Sequence, residues 1–343
     1  MSTSKKGKFG CLWFGVLVLL STFSFIIIKV LFSFSTNISL LLAIGVSVFF
    51  LKLILGNSSS KSIVQSGIAI YIILYGLKAV FSFLLNDLQP NTEKISFNKE
   101  EETTKTELIK ETDTTILYSS NRNWIDNYGN HFEGTLSIRE NDYLRLKNTT
   151  DHFKNTNKKY FWGSLYNYLE QTDTPSLDLI METFIKINNE KKLNQMEFAE
   201  MVVSCIQDIP YSFVLQTECP NKENYDDSNR AILENCPECC IGNIKYGIQN
   251  PVSFIKNLKG DCDTRTVIVY SILKYFKYDV AIVNSDFYRH SIIGINLPSS
   301  GSFKVHNGKK YVLWETTAKY YKAGDLPVSF NNVNHWYVVL TSK

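Results

Sequence analysis

Three residues far apart in the chain have the types that thiol chemistry needs: Cys262, His290 and Glu315. A thiol nucleophile needs a base to take its proton and a group to orient that base. Cys262 stands at the start of a predicted helix, where free N–H groups and the helix dipole favour a thiolate. Gly260 just before it lets the backbone turn tightly. Asp261 and Asp263 work against the thiolate, so a neighbouring imidazolium has to outweigh them. His290 lies in a strand pattern (RHSIIGI), and Glu315 ends the next long one (YVLWETT). Adjacent antiparallel strands can set both side chains on one face. The carboxylate would then fix the imidazole tautomer and stabilise its protonated form. Taken alone, Cys262 reads as a small buried hydrophobe; the trio is what gives it a chemical reading. For a developing oxyanion, the backbone N–H of Cys262 is the default donor and Gln249 a side-chain candidate.

The elements that must position these residues follow from periodicity. Phe132–Arg139 alternates as a strand. Helical patterning runs over 158–170, 176–192 and 194–207, the last with Asn194 at its cap and Glu197 three residues on. Asn250-Pro251 opens a short helix that Gly260 ends. Asp261 or Cys262 opens another, with Val267, Val269, Tyr270, Leu273 and Phe276 apolar. Strands follow at 279–283, 288–295, 302–305, 311–315 and 336–340, with Asn307-Gly308 as a hairpin turn. Helices first and an antiparallel sheet after them make an α+β domain.

The order Cys, His, acid, with Gly260-Asp261-Cys262-Asp263 opening a helix, resembles the transglutaminase-like superfamily. The matching pieces are Gln207-Asp208-Ile209-Pro210-Tyr211, Asn250-Pro251, Gly260 to Asp263, Tyr278-Asp279-Val280-Ala281, His290 and Trp314-Glu315-Thr316-Thr317. The resemblance covers about residues 195–328. It implies a papain-like fold and a cysteine hydrolase or acyltransferase working through a Cys262 thioester, with His290 as base and Glu315 orienting it. Family members include protein cross-linkers, peptidases and glycopeptide amidases. The third member here is Glu rather than the commoner Asp, and Ile292 stands where an aromatic residue often follows the His. No Trp lies between Trp162 and Trp314, and no calcium-loop spacing is present. Both points argue against a calcium-dependent cross-linker.

A second cysteine group, Cys219, Cys236, Cys239 and Cys240, occupies a polar insertion. C-P-E-C-C has the gap of a zinc knuckle, with Cys219 as a fourth ligand. Outside the cytoplasm, disulfides are the simpler reading. Adjacent Cys239 and Cys240 would take different partners, leaving Cys219 and Cys236 in either order. No cofactor is otherwise expected.

The chain has 343 residues and a formal charge of +3. Residues 1–88 hold seven lysines and one acid, the remainder 29 basic and 32 acidic groups. Apolar runs at 11–34, 38–55 and 63–85 each approach the ~20 residues of helix that cross a bilayer. They predict a three-helix transmembrane anchor over 1–88, with the lipid bilayer as a partner. Lys5, Lys6, Lys8 and Lys61 place the N-terminus in the cytoplasm and the later domain outside. Residues 89–112 read as a polar linker and 113–343 as the α+β domain. No Lys/Arg patch interleaved with aromatics suggests nucleic acid.

Two functions compete. One is a membrane-tethered thiol enzyme acting on a protein, peptide or peptidoglycan-type amide. The other is a non-catalytic module that keeps the fold and binds peptide or polysaccharide. A scaffolding role for the three-span segment is a third.

Overall fold

The structure is a computed structural model that describes residues 20–25, 42–48, 103–110, 113–154, 160–225 and 227–343. By backbone contacts the chain divides into two compact units, Met1–Thr92 and Glu93–Lys343. The second is α+β.

It begins with a three-stranded antiparallel sheet: β1 (Thr104–Lys110), β2 (Asp113–Ile125) and β3 (His131–Arg139). β1 falls in the segment read as a polar linker. Its residues TKTELIK carry little apolar pattern, because an edge strand is held by backbone pairing, here to β2 from Thr104↔Ser119 to Lys110↔Asp113. Asp126 Oδ1 accepts the N–H groups of Tyr128 and Asn130, which closes the β2–β3 turn. The Trp124 indole donates to the Met201 carbonyl at 3.1 Å and ties this sheet to the helices.

The helices follow: α1 (Glu140–Leu146), α2 (Thr149–His152), α3 (Phe161–Asp173), α4 (Asp178–Lys191), α5 (Gln195–Asp208), α6 (Asp227–Asn235), α7 (Pro251–Asn257) and α8 (Cys262–Tyr275). α5 opens on a full capping box: Asn194 Oδ1 accepts from Met196 and Glu197 N–H, and Glu197 Oε2 accepts from Asn194 N–H. α7 ends on Leu258 in the left-handed region, φ 53°, rather than on Gly260. α8 is enclosed on every side from Val267 to Leu273, the signature of a helix central to the core.

A short parallel pair, β4 (Phe213–Val214) and β5 (Cys240–Ile241), precedes the second large sheet. That sheet's strands are β6 (Val280–Ser285), β7 (His290–Ile295), β8 (Phe303–His306), β9 (Lys309–Trp314) and β10 (Tyr337–Thr341), antiparallel in the order β10-β6-β7-β9-β8. Asn307 (φ 49°) and Gly308 (φ 75°) supply the left-handed pair that a tight β8–β9 hairpin needs. Period-two alternation splits the strand residues between two apolar layers. Val280, Ile282, Ile293, Val312 and Trp314 pack with the helices. Ala281, Val283, Ile292, Tyr311 and Leu313 face the other way, against Trp336 and Phe330. β6 is buried along its whole length, so its apolar run is what a two-sided strand requires.

The three-helix transmembrane anchor needs correction. Among the described residues no helix is long and apolar enough to cross a membrane. The described helical residues in that region are 20–25 and 42–48. The rest of the runs 11–34, 38–55 and 63–85 lies outside the described residues. The lysine-based orientation, with a cytoplasmic N-terminus and an external domain, rested on those spans and falls with them.

Candidate active site

Cys262 is the first residue of α8. Its neighbour Asp261 caps the helix, Oδ1 accepting from Thr264 N–H at 3.1 Å. The cap aims the free N–H groups of the first turn past Cys262. Gly260 serves by size: a Cβ there would lie 2.7 Å from the Phe254 ring and 2.9 Å from Thr264 Cγ2.

One turn into α8, Thr266 Oγ1 bonds the Ser291 carbonyl at 3.1 Å and meets Thr316 Oγ1 at 3.3 Å. This one side chain fastens the nucleophile's helix to β7 beside His290 and to the residue after Glu315. His290 opens β7, and its Nε2 lies 2.8 Å from Glu315 Oε2. The other oxygen, Oε1, accepts from Thr316 N–H at 2.9 Å, Thr317 N–H at 2.7 Å and Thr317 Oγ1 at 2.6 Å. Nε2 is therefore engaged, and Nδ1 is the nitrogen left for a thiol. Phe330 lies against the imidazole with ring centroids 4.9 Å apart. The Ser291 N–H points at the Cys262 sulfur. No hydrogen bond joins that sulfur to His290 among the described residues.

The electrostatics are lopsided. Burial pushes the Cys262 thiol well up, and Asp263 and then Asp261 push it further, against the Ser291 N–H. Burial would lower His290, but Glu315, and after it Asp263 and Asp261, hold it above the ordinary imidazole value. Burial would raise Glu315, yet His290 and Thr317 keep it below the ordinary carboxyl value. Asp261 is pushed to about 8 by burial and by Asp263. Asp263 is itself raised by burial, against a 2.7 Å hydrogen bond from Tyr166, which also accepts from Asn284 Nδ2 at 2.9 Å. These directions favour the protonated form of the Cys262 thiol and the charged forms of His290 and Glu315.

Gln249 is engaged locally. Its Nε2 bonds the Lys259 carbonyl at 2.6 Å and its Oε1 accepts from Asn257 at 2.7 Å, so the side chain braces the turn before Cys262. Arg265 was not anticipated. It is fully buried on α8, with Nε on Gly260 O (2.9 Å), Nη1 on Ile206 O (2.8 Å), Nη2 on Ile209 O (2.6 Å) and also on Pro210 O. It pins the end of α5 to the nucleophile's turn. The signal in the sequence is a cation in the first turn of a helix that runs largely apolar from Val267 to Leu273.

The four insertion cysteines pair as Cys219–Cys240 and Cys236–Cys239, with Cα atoms 6.1 and 5.3 Å apart. Both pairs being bonded, none of the four is a free thiolate for zinc. Among the described residues no group of three or more His, Cys, Asp or Glu is placed to hold a metal.

In comparison with known proteins, the chain matches no family model, no curated protein and no solved structure. The transglutaminase-like and cysteine-hydrolase reading therefore draws no support from relatives.

Proposed function

We propose that the protein is a cysteine-dependent acyl-transfer enzyme acting on a peptide or related amide. The observation that carries this is the His290–Glu315 pair at 2.8 Å, its carboxylate locked by Thr316 and Thr317, stapled through Thr266 to the helix that begins at Cys262. A structural histidine needs no such fixed orientation; a base that must keep one nitrogen free does.

The reaction begins when His290 is neutral and takes the thiol proton at Nδ1. The sulfur attacks the carbonyl carbon, and the carbonyl π electrons move onto oxygen. When the intermediate collapses, the C–N bond breaks, and the leaving amine takes the proton from His290. A Cys262 thioester remains. Water or a second amine, deprotonated by His290, attacks it and releases the thiol. Glu315 stays ionised and holds the imidazolium throughout.

The test is reaction of the purified full chain with p-nitrophenyl acetate. The expected result is stoichiometric p-nitrophenol release and a Cys262-linked acetyl group seen by mass spectrometry, both absent in Cys262→Ala. Release that persists in Cys262→Ala would overturn the reading. The raised thiol pKa and its 8% exposure favour a second reading, a binding module that keeps the fold without turnover. In that case wild type and Cys262→Ala would be equally inert.

A further inference from the structure

Pro210 and Ser212, on either side of Tyr211, are both tied to the segment that carries the nucleophile. The Pro210 carbonyl accepts from Arg265 Nη2, and the Ser212 N–H donates to the Gly260 carbonyl at 3.2 Å. Arg265 also holds Ile209 and Ile206. Tyr211 is thus fixed at a set distance from the turn Gly260–Asp261–Cys262. Its ring rests on the Arg265 guanidinium, 5.9 Å from centroid to carbon, with Phe213 edge-on at 5.5 Å.

The phenol oxygen has no hydrogen-bond partner among the described residues. The side chain is only partly buried, so the hydroxyl is open to a bound group. The charges that act on it are those of the site: Cys262 first, then Asp261, Arg265 and Asp263. Burial, and then Cys262, push its pKa well up, so the phenol stays protonated and able to donate.

The two amide side chains near the turn are engaged elsewhere. Gln249 is spent on Lys259 and Asn257, and Gln207 Nε2 on the carbonyls of Glu315 (2.7 Å) and Tyr321 (3.0 Å). Through the Ser212–Gly260 and Pro210–Arg265 ties, the segment that carries the Tyr211 phenol is held against the turn whose helix begins with the backbone N–H of Cys262.

We infer that Tyr211 is a catalytic residue whose phenol donates a hydrogen bond to the carbonyl oxygen of the acyl group at Cys262, an inference that rests on the acyl-transfer reading. It works with the Cys262 N–H as the second donor. No proton is transferred; the bond strengthens as the oxygen becomes an oxyanion and relaxes when the thioester forms.

Two reactions of the same sulfur separate this role from packing. Acylation by p-nitrophenyl acetate passes through an oxyanion; alkylation by iodoacetamide does not. Tyr211→Phe keeps the ring on Arg265 and removes only the hydroxyl. The expected result is an acylation rate about 10²-fold lower with little change in half-saturation, and an alkylation rate within about twofold of wild type. Unchanged acylation would overturn the inference, as would equal losses in both reactions. A wild-type protein that alkylates at Cys262 but releases no p-nitrophenol would overturn the acyl-transfer reading itself, and the role of Tyr211 with it.

Discussion

Thr317 holds Glu315 twice, its N–H at 2.7 Å and its hydroxyl at 2.6 Å from the same carboxylate oxygen. The opposite oxygen is thereby turned to His290. Thr317→Val should raise the Glu315 carboxyl pKa and loosen the imidazole, lowering the rate of Cys262 acylation about tenfold, the worth of one hydrogen bond to a charged group. Thr317→Ser should restore most of it. A valine variant that acylates at the wild-type rate would show that the second hydrogen bond does not matter.

The trio itself gives a graded series. Cys262→Ala should abolish acylation and His290→Ala should nearly do so. Glu315→Gln should cost on the order of 10²–10⁴, because it keeps the shape and loses the charge that supports the imidazolium. Single-turnover p-nitrophenol release reads all three, and a Glu315→Gln enzyme as fast as wild type would remove Glu315 from the mechanism.

Asp263 should raise the pH at which the thiol ionises. After burial it is the largest influence holding Cys262 protonated, with Asp261 and Glu315 in the same sense and the Ser291 N–H opposed. Asp263→Asn can still accept the Tyr166 hydroxyl while losing its charge. The midpoint of iodoacetamide alkylation against pH should move down, so that the variant alkylates faster than wild type at neutral pH. The loss of a carboxylate also lowers the His290 pKa, which frees the base at lower pH. An upward or absent shift would contradict the assignment.

Arg265 supports the site from below. Removing it takes a donor from the carbonyls of Ile206, Ile209, Pro210 and Gly260, of which Gly260 keeps the Ser212 N–H and Ile206 the Ile209 N–H. Arg265→Met should lose about 3–5 kcal/mol in urea unfolding. Arg265→Lys should recover little, since one ammonium cannot span the fork of positions a guanidinium reaches. Loss of under about 1 kcal/mol in either variant would mean the clamp is replaceable.

Stability should fall as pH rises. Burial lifts Glu200 to about 7, Asp173 to about 7 and Asp261 to about 8. A group whose folded pKa lies above its unfolded value binds more protons folded than unfolded, so its stabilisation is full below the unfolded pKa and is lost as pH climbs through the folded one. His290 has the same sign. The melting temperature should therefore be higher near pH 5 than near pH 8 by an amount on the order of several degrees. Glu200→Gln, whose parent carboxyl has Oε2 buried without a partner, should flatten that slope. A slope of opposite sign would refute the assignment.

How much of this could be read from the sequence differs element by element. Cys262, His290 and Glu315 stood out because they are rare residue types at helix and strand boundaries, and those boundaries are set by local signals such as the Asp261 cap and the Asn307-Gly308 turn. Thr266 and Thr317 were invisible as contributors, because a threonine in a helix or after a strand has no periodic signature; only tertiary contact gives it a role. Arg265 was passed over for the same reason. The bonds of Gln249 to Lys259 and Asn257 were not legible, because an amide near a cysteine can serve either a ligand or the local turn, and sequence does not say which way it faces. β1 was missed because an edge strand needs no apolar face. The runs 11–34, 38–55 and 63–85 were read from hydropathy alone, and the described residues contain no helix of spanning length to match.

The Arg265 clamp and the Thr266 staple have a consequence for the chain as it is made. Cys262 meets Glu315 only after 53 further residues have been synthesised. Until then it is an ordinary cysteine flanked by two acids, which repel the negative charge a reactive sulfur would carry. Its surroundings come together when the end of α5, the start of α8 and the strands after it meet. Whatever Cys262 does to a carbonyl, a growing chain is poorly equipped to do it to its neighbours.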